Sequence, residues 1–409
     1  MLLNISRRAF TRVLALVLAS TLLLYVARYV LKDPAPGEER NGIFNSSPLS
    51  RIWNNEDSEG ENESDFAEAV HGGDHKVKTS QAPSVSEVTV TTELTHYIHS
   101  KHPRNAKSLF LTMTQDATGW GHAHNEPRSL DSHIALIKKT SGLPLKSISI
   151  AIQTASATEY QKYIHTLNKH PFAKIQVLLY QPEQHDDEPE DRHSEDFQPI
   201  RRKQISLARN MLMLRALGSE EHIFWYDGDV IGSDNGIAAK MIDHSQNGLK
   251  GVTTNSSMLR EPPLPIGLIT ARCENPGMNN YDLNAWALPK ESPAAARTRP
   301  DGEQIKDLSN GKLYMASSTG SMIYVDHWTD HTTNDELFPL DSVGGTILYI
   351  KADLVRKGLN FPPYFVVGTS WDLPNGYDGI ETEGLCYIAK TIGYGCYALG
   401  GTWHIKHEH

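Results

Sequence analysis

HIFWYDGDVIGSD, residues 222–234, is the stretch on which the fold turns. Ile223 to Tyr226 are apolar or aromatic without a break, which is the texture of a strand covered on both faces. The run then stops at Asp227, Gly228 and Asp229, with Asp234 shortly after. In open α/β sheets ligands bind beyond the carboxyl ends of strands, so two carboxylates at such an end face the usual crevice. A spacing of two puts both on one side of an extended chain, and Gly228 between them lets a ligand approach the backbone. Hard oxygen ligands there suit Mg²⁺ or Mn²⁺, which in turn neutralises a diphosphate. An acidic turn after a strand is the plainer alternative.

Outward from this strand, short apolar runs alternate with helical patterns, the signature of crossover units around a sheet. SLFLTM (108–113), SISIAI (147–152) and KIQVLLY (174–180) are predicted strands. Helices are expected at 129–140, 157–169 and about 201–217. The gap at about 183–199 is too polar for anything but an exposed loop. The expected fold is therefore α/β with a mixed central sheet, spanning residues 106–409 as one domain.

Before residue 106 the texture differs. Arg7, Arg8 and Arg12 precede an apolar run that reaches Leu31, 19 residues long. That is about the ~20 residues a helix needs to span a bilayer. No small-residue cleavage site follows it, so residues 13–31 read as an uncleaved signal anchor. The arginines place residues 1–12 in the cytosol and the rest in the lumen. Residues 32–105 read as a largely disordered stem, rich in Pro, Gly, Ser, Asn and Glu. From residue 33 on it holds 13 acidic and 6 basic residues, so most of the chain's net charge of −10 is solvated linker. That acidity and the lumenal compartment disfavour nucleic acid as a partner. Asn45, Asn62 and Asn255 begin glycosylation tripeptides.

The chain closes on ALGGTWHIKHEH (398–409). If Trp403 onward is a strand, Trp403, Ile405, His407 and His409 share its inward face, making His407 a better metal ligand than His404. A frayed His-rich tail is the alternative. Cys273, Cys386 and Cys396 are an odd set, allowing one internal bridge at most; three buried apolar thiols fit equally.

RRKQISLARNMLM (201–213), HIFWYDGDV, YDLNAW (281–286), LDSVGGTILYIKADLVRKGLNFPP (340–363) and GYDGIETEGLCYIAKTIGYGCYALG (376–400), in that order, resemble the fungal Golgi α-mannosyltransferases of the mannan polymerase complexes, glycosyltransferase family 62. The resemblance covers most of residues 106–409. It implies a GT-A-like fold and retaining transfer of α-mannose from GDP-mannose, with Mn²⁺, onto mannose of protein-linked glycans. It also implies a Golgi membrane location, with the endoplasmic reticulum as alternative, and hetero-oligomeric assembly with homologous mannosyltransferases. A non-catalytic complex subunit and a lumenal glycan-binding module are the competing readings.

Residue by residue, Asp227 and Asp229 match the family's Asp-x-Asp, and His407 approximates its C-terminal metal histidine. Arg209 and Asn210 fall at its Arg-Asn, Asn284 and Trp286 at its Asn-Ser-Trp, and Glu381 and Glu383 at its Ile-Glu-Thr-Glu-Gly. The chain departs in having Tyr226 for the usual Arg, Gly228 for Val, Ala285 for Ser, and GGTW for Pro-Asn-Tyr. In this scheme Asp227, Asp229 and His407 hold the metal, and Arg209, Asn210, Asp227, Asn284 and Trp286 bind the donor. Arg209 is a phosphate contact or a solvated helix arginine, and Trp286 a sugar-facing ring or core. Glu381 and Glu383 meet the acceptor as candidate catalytic acids, or merely favour a helix start.

Overall fold

A computed structural model of the chain describes residues 85–90, 94–123, 126–180, 198–250, 252, 263–287, 323–329, 331–364, 366 and 379–408. The expected cytosolic tail, the spanning segment at 13–31, the stem before residue 85, the acidic loop up to residue 197 and the three glycosylation tripeptides lie outside these residues. Among the described residues no helix is long and apolar enough to cross a membrane.

The strands in chain order are β1 (Val85–Val90), β2 (Leu94–Ser100), β3 (Ser108–Met113), β4 (His122–Ala123), β5 (Glu126–Pro127), β6 (Ile148–Thr154), β7 (Lys174–Tyr180), β8 (His222–Tyr226), β9 (Val230–Ser233), β10 (Ile266–Thr270), β11 (Arg272–Glu274), β12 (Trp286–Ala287), β13 (Ile323–Tyr324), β14 (Leu337–Leu340), β15 (Ile347–Lys351), β16 (Gly395–Leu399) and β17 (His404–His407). The helices used below are α1 (Leu130–Thr140), α2 (Ala157–Asn168), α3 (Gln198–Ala216), α4 (Ile237–Asn247), α5 (Val325–Thr329), α6 (Ala352–Arg356) and α7 (Thr382–Thr391).

Ten strands form one mixed sheet in the order β1-β2-β7-β6-β3-β8-β15-β10-β16-β14. Its middle, β7-β6-β3-β8, is parallel, and α1, α2 and α3 make the crossovers. Every residue of β6 and β8 is buried, as expected of strands covered on both faces. Alternation then sorts side chains between two cores. Phe110, Ile150 and Phe224 pack with α1, α2 and α4, whereas Leu111, Ala151 and Trp225 pack with α3 and α7. Ser129 and Ser156 cap α1 and α2 by accepting from the backbone N–H three residues on.

Chain order runs outward from β3 through β6 to β7, then returns to β8 on the other side of β3. The strand order thus reverses between β3 and β8, the position at which such sheets open a ligand crevice. A second sheet, β11-β17-β9, lies at that end. Because β9 starts one residue after Asp229, its antiparallel register sets His407 opposite Val230. Cys386 in α7 is disulfide-bonded to Cys396 in β16, and Cys273 is a free, buried thiol.

The expected stem boundary at residue 105 is too late. β2 pairs antiparallel with β7 along its whole length, and β1 with β2, so the sheet begins at least as early as Val85. The compact unit runs from Thr79 to His409. Leu94 and His96 are the buried positions of β2, and His96 bonds Gln176 at 3.0 Å. An inward face built partly of histidine hides the period of two from a hydropathy reading.

A chain starting at residue 79 should therefore melt with the full-length protein. One starting at residue 106 uncovers the edge of β7 and should aggregate or melt at least ~10 °C lower. Equal melting of the two truncations, followed by circular dichroism, would show that β1 and β2 contribute no packing.

Candidate active site

β8 ends at Tyr226, whose ring lies inside the core 5.3 Å from that of Phe110. The backbone of Asp227 is fixed at once, its N–H donating to the Thr346 carbonyl at 3.0 Å. A turn then carries the chain through Gly228 to Asp229, with Val230 N–H donating back to the Asp227 carbonyl. Gly228 does not open room for a ligand, contrary to expectation. A Cβ there would collide with the Gly119 carbonyl, and Arg128 donates to the Gly228 carbonyl at 2.8 Å and to that of Trp120 at 2.9 Å. The glycine is required by the chain's own packing.

Arg209 is the hub on the other side. It projects inward from α3 between the rings of Trp225 and Phe361, 5.3 Å from each centroid. Its Nη2 donates to Asp227 Oδ1 at 3.0 Å, and its Nη1 lies 3.2 Å from Glu381 Oε1. A side chain at Gly345 would press on this guanidinium. Asp282 closes the cluster, accepting from the N–H groups of Gly345 (2.9 Å), Asn284 (3.3 Å) and Thr346 (3.4 Å). Burial lifts the Asp282 carboxyl above its ordinary range despite those donors. Burial likewise raises Asp227 to about 7, the charge of Arg209 offsetting only part of it.

Asp229 meets His407. The imidazole Nε2 lies 3.1 Å from Asp229 Oδ1, and Nδ1–H donates to the Glu408 carbonyl at 2.7 Å. A carbonyl only accepts, so the Nδ1 proton is fixed and Nε2 faces the carboxylate. Tyr281 stacks on the ring with centroids 4.2 Å apart. For His407 burial works downward, but the hydrogen bond and charge of Asp229 raise its pKa to about 9. Burial would raise Asp229, and the same partnership holds it below its usual value. The expected strand alternation holds: Ile405 and His407 are buried, Lys406 is exposed, and His404 is half-buried with its N–H on Asp234 Oδ2.

The metal set predicted from sequence is only partly assembled. Asp229 and His407 converge, Asp229 Oδ1 facing the imidazole Nε2. Asp227 is turned to Arg209. Among the described residues no group of three or more His, Cys, Asp or Glu is arranged to hold a metal ion. One carboxylate and one imidazole are nevertheless a donor pair of the kind divalent metal ions take. The side chains of Asp227 and Asp229 are 31% and 39% exposed, against 7% for Arg209 and 8% for His407, so the two aspartates are the open part of the cluster.

The remaining predicted residues are held by the chain's own contacts, which for Trp286 is the core alternative. Glu381 and Glu383 are buried and paired, Glu381 with Arg209 and Glu383 with Arg202 at 2.9 Å, so both carboxylates are engaged by arginines. Glu381, at φ 63°, is the one non-glycine with positive φ among the described residues, its N–H held by the Pro362 carbonyl. Asn210 spends its amide on the backbone of Phe361, giving one bond and accepting another. Asn284 Oδ1 lies 3.4 Å from Arg202. Trp286 is 2% exposed in β12, a core ring and not a sugar-facing one. Sequence reasoning missed Arg128, which carries no local signal. It also missed Asp282, which sits inside the quoted block YDLNAW beside the residues that were chosen.

The family model of Anp1 matches residues 95–365. The mannan polymerase complex subunit MNN9 of Candida albicans is 29% identical over 211 residues, covering 51% of this chain and 50% of its own. The subunit mnn9 of Schizosaccharomyces pombe is 24% identical over 250 residues, 59% of this chain and 64% of its own. The mannan polymerase I complex VAN1 subunit of Saccharomyces cerevisiae is 28% identical over 221 residues, 53% and 35%. The chain thus spans less than two thirds of the length of each of these relatives. A crystal structure of S. aureus TarS 1-349 with UDP aligns at a TM-score of 0.36 and 8% identity, covering 74% of this chain and 60% of that one.

Removing Arg209 leaves Glu381 and Asp227 without their counter-charge. Arg209→Ala is expected to cost on the order of 3–5 kcal/mol in a denaturant titration, and Arg209→Lys less, because one ammonium does not span both carboxylates. An Arg209→Ala protein as stable as the wild type would remove the guanidinium from its place as the hub.

Proposed function

The chain belongs to the Anp1 family, and on that premise we propose that it is a glycosyltransferase of GT-A-like architecture, moving α-mannose from GDP-mannose to mannose of protein-linked glycans with retention and with Mn²⁺. We propose further that it works at the Golgi membrane and as a subunit of a hetero-oligomeric complex, the complex being what the names of its relatives suggest. The observation that carries the reading is the Asp229–His407 pair at the carboxyl end of β8, where the strand order reverses.

Asp229 Oδ1 and His407 Nε2 are the groups that would hold the cation. When bound, Mn²⁺ supplies positive charge against the diphosphate and the departing GDP. Asp227, clamped by Arg209, keeps a second carboxylate beside this pair at fixed orientation. Tyr281 fixes the imidazole plane, and Arg128 fixes the turn between the two aspartates. The burial of Glu381 and Glu383 leaves them the task of orienting arginines, and no nucleophile is assigned.

A supporting subunit without transfer is the second reading, and one observation favours it: Asp227 is engaged by Arg209 and does not complete a three-ligand set. Titration of the purified lumenal chain with Mn²⁺ and GDP-mannose, alongside a transfer assay on mannose oligosaccharides, separates the two. Asp229→Asn should weaken Mn²⁺-dependent donor binding on the order of 100-fold with unchanged melting, since the lost charge faces the cation. His407→Ala should weaken it by about tenfold or more and His404→Ala hardly at all. Donor binding without transfer supports the second reading, and tight metal-dependent binding by Asp229→Asn sinks the first.

A further inference from the structure

Helix α3 is apolar on two sides: Leu212, Met213 and Ala216 are buried in the core, as in an ordinary surface helix, while a second apolar row faces outward. Arg202 and Arg209 lie on its buried side, bonded to Glu383, Asp227 and Glu381. Ile200, Leu207 and Leu214 are instead 47%, 45% and 58% exposed. They recur every seven residues, and half-buried Met211 follows Leu207 by four. At 3.6 residues per turn these four fall within about 60° of arc, with Arg209 on the opposite side. Exposed Lys203 and Arg215 border the stripe on either side, and α3 contains no acidic residue.

We propose that this stripe is the docking face for a helix of a second, non-identical Anp1-family chain, one whose apolar stripe is bordered by carboxylates. The inference rests on the complex-subunit reading above. Apolar residues at heptad spacing make the seam of a two-helix contact, and the charges bordering the seam select the partner. A second copy of this chain would set Lys203 and Arg215 against their own kind. Residues 181–197 offer 8 acidic side chains but only Pro182, Pro189 and Phe197 as apolar ones, too few to fill the stripe. The seam from Ile200 to Leu214 is about 21 Å long, short for a stable interface by itself. A partner would therefore contact surface beyond α3 as well; Leu283 and Tyr364 are exposed apolar residues too, near the side of α3 that carries Arg202 and Ser206.

The test puts p-benzoylphenylalanine at position 203 or 215 of the full chain, in the cells that produce it, with irradiation and mass spectrometry of the adducts. The rim positions leave the seam intact. The expected adduct is with a different Anp1-family chain, through a peptide whose apolar stripe is bordered by acids. Leu207→Glu with Leu214→Glu should lower its yield at least tenfold while melting is unchanged. An adduct within the chain itself, including 181–197 or 288–322, overturns the proposal. So does one with a second copy, one with an unrelated protein, or none at all. The identity of the adduct stands even if the double variant misfolds. Mannosyl transfer plays no part in this readout, so failure of the proposed activity leaves it intact and its own failure leaves the activity standing.

Discussion

One guanidinium, that of Arg209, holds the site in register. Charged groups taken out of water cost several kcal/mol each unless they are paired, so a buried arginine among carboxylates is stable only as a complete set. Arg209 draws its set from distant parts of the chain: Asp227 from the end of β8 and Glu381 from the start of α7. The rings of Trp225 and Phe361 line its two sides and limit the directions in which it can point. Gly345 leaves the space in which it lies, and Asp282 pins the loop that carries Gly345. The backbone of Asp227 is held by its bonds to Thr346 and Val230, and the direction of its carboxylate is set by this network.

The other carboxylate is placed by a different device. Asp229 depends on backbone pairing, since the register of β17 against β9 is what brings His407 beside it. The site so divides into a half anchored by a buried ion-pair network and a half anchored by a strand ladder, with the exposed carboxylate edges between them. Helix α3 serves the first half with its inward arginines, packs Leu212, Met213 and Ala216 into the core, and still leaves a row of apolar residues outward, which gives the helix two tasks.

Much of this was legible in the sequence, and what was not has identifiable causes. The parallel strands and their crossover helices stood out because strands buried on both faces are apolar without interruption, as in Ile223–Tyr226. The alternation in the last strand set His407, and not His404, on the inward face because Ile405 marks that face, and the structure buries His407 there. β2 was missed because His96 occupies an inward position that a hydrophobe usually fills. Motif spacing also marked Glu381, Asn210 and Trp286 as important without revealing how. A buried carboxylate paired with an arginine and one that meets a substrate look alike along a chain, and partners 172 residues apart, as Arg209 and Glu381 are, are invisible to local pattern. Gly228 was read as room for a ligand for the same reason: the Gly119 carbonyl that fills the space lies far away in sequence.

The long reach of the arginine pairs bears on how the protein is made. Synthesis delivers α3 well before the carboxylates of α7, so a nascent chain that has completed only β3 through β8 holds two arginines with part of their counter-charge still unsynthesised. Burying them at that stage leaves part of their desolvation penalty uncompensated, so the face of the parallel core under α3 is expected to close only once residues 379–408 are made. Such non-local closure slows folding and prolongs the exposure of sticky surface, here the outward leucines of α3 together with the unsealed sheet. The Cys386–Cys396 bond fastens α7 to β16 within this last-made portion. Oxidative folding machinery that forms it early would shorten the vulnerable interval, tying the yield of native protein to thiol chemistry as much as to hydrophobic packing.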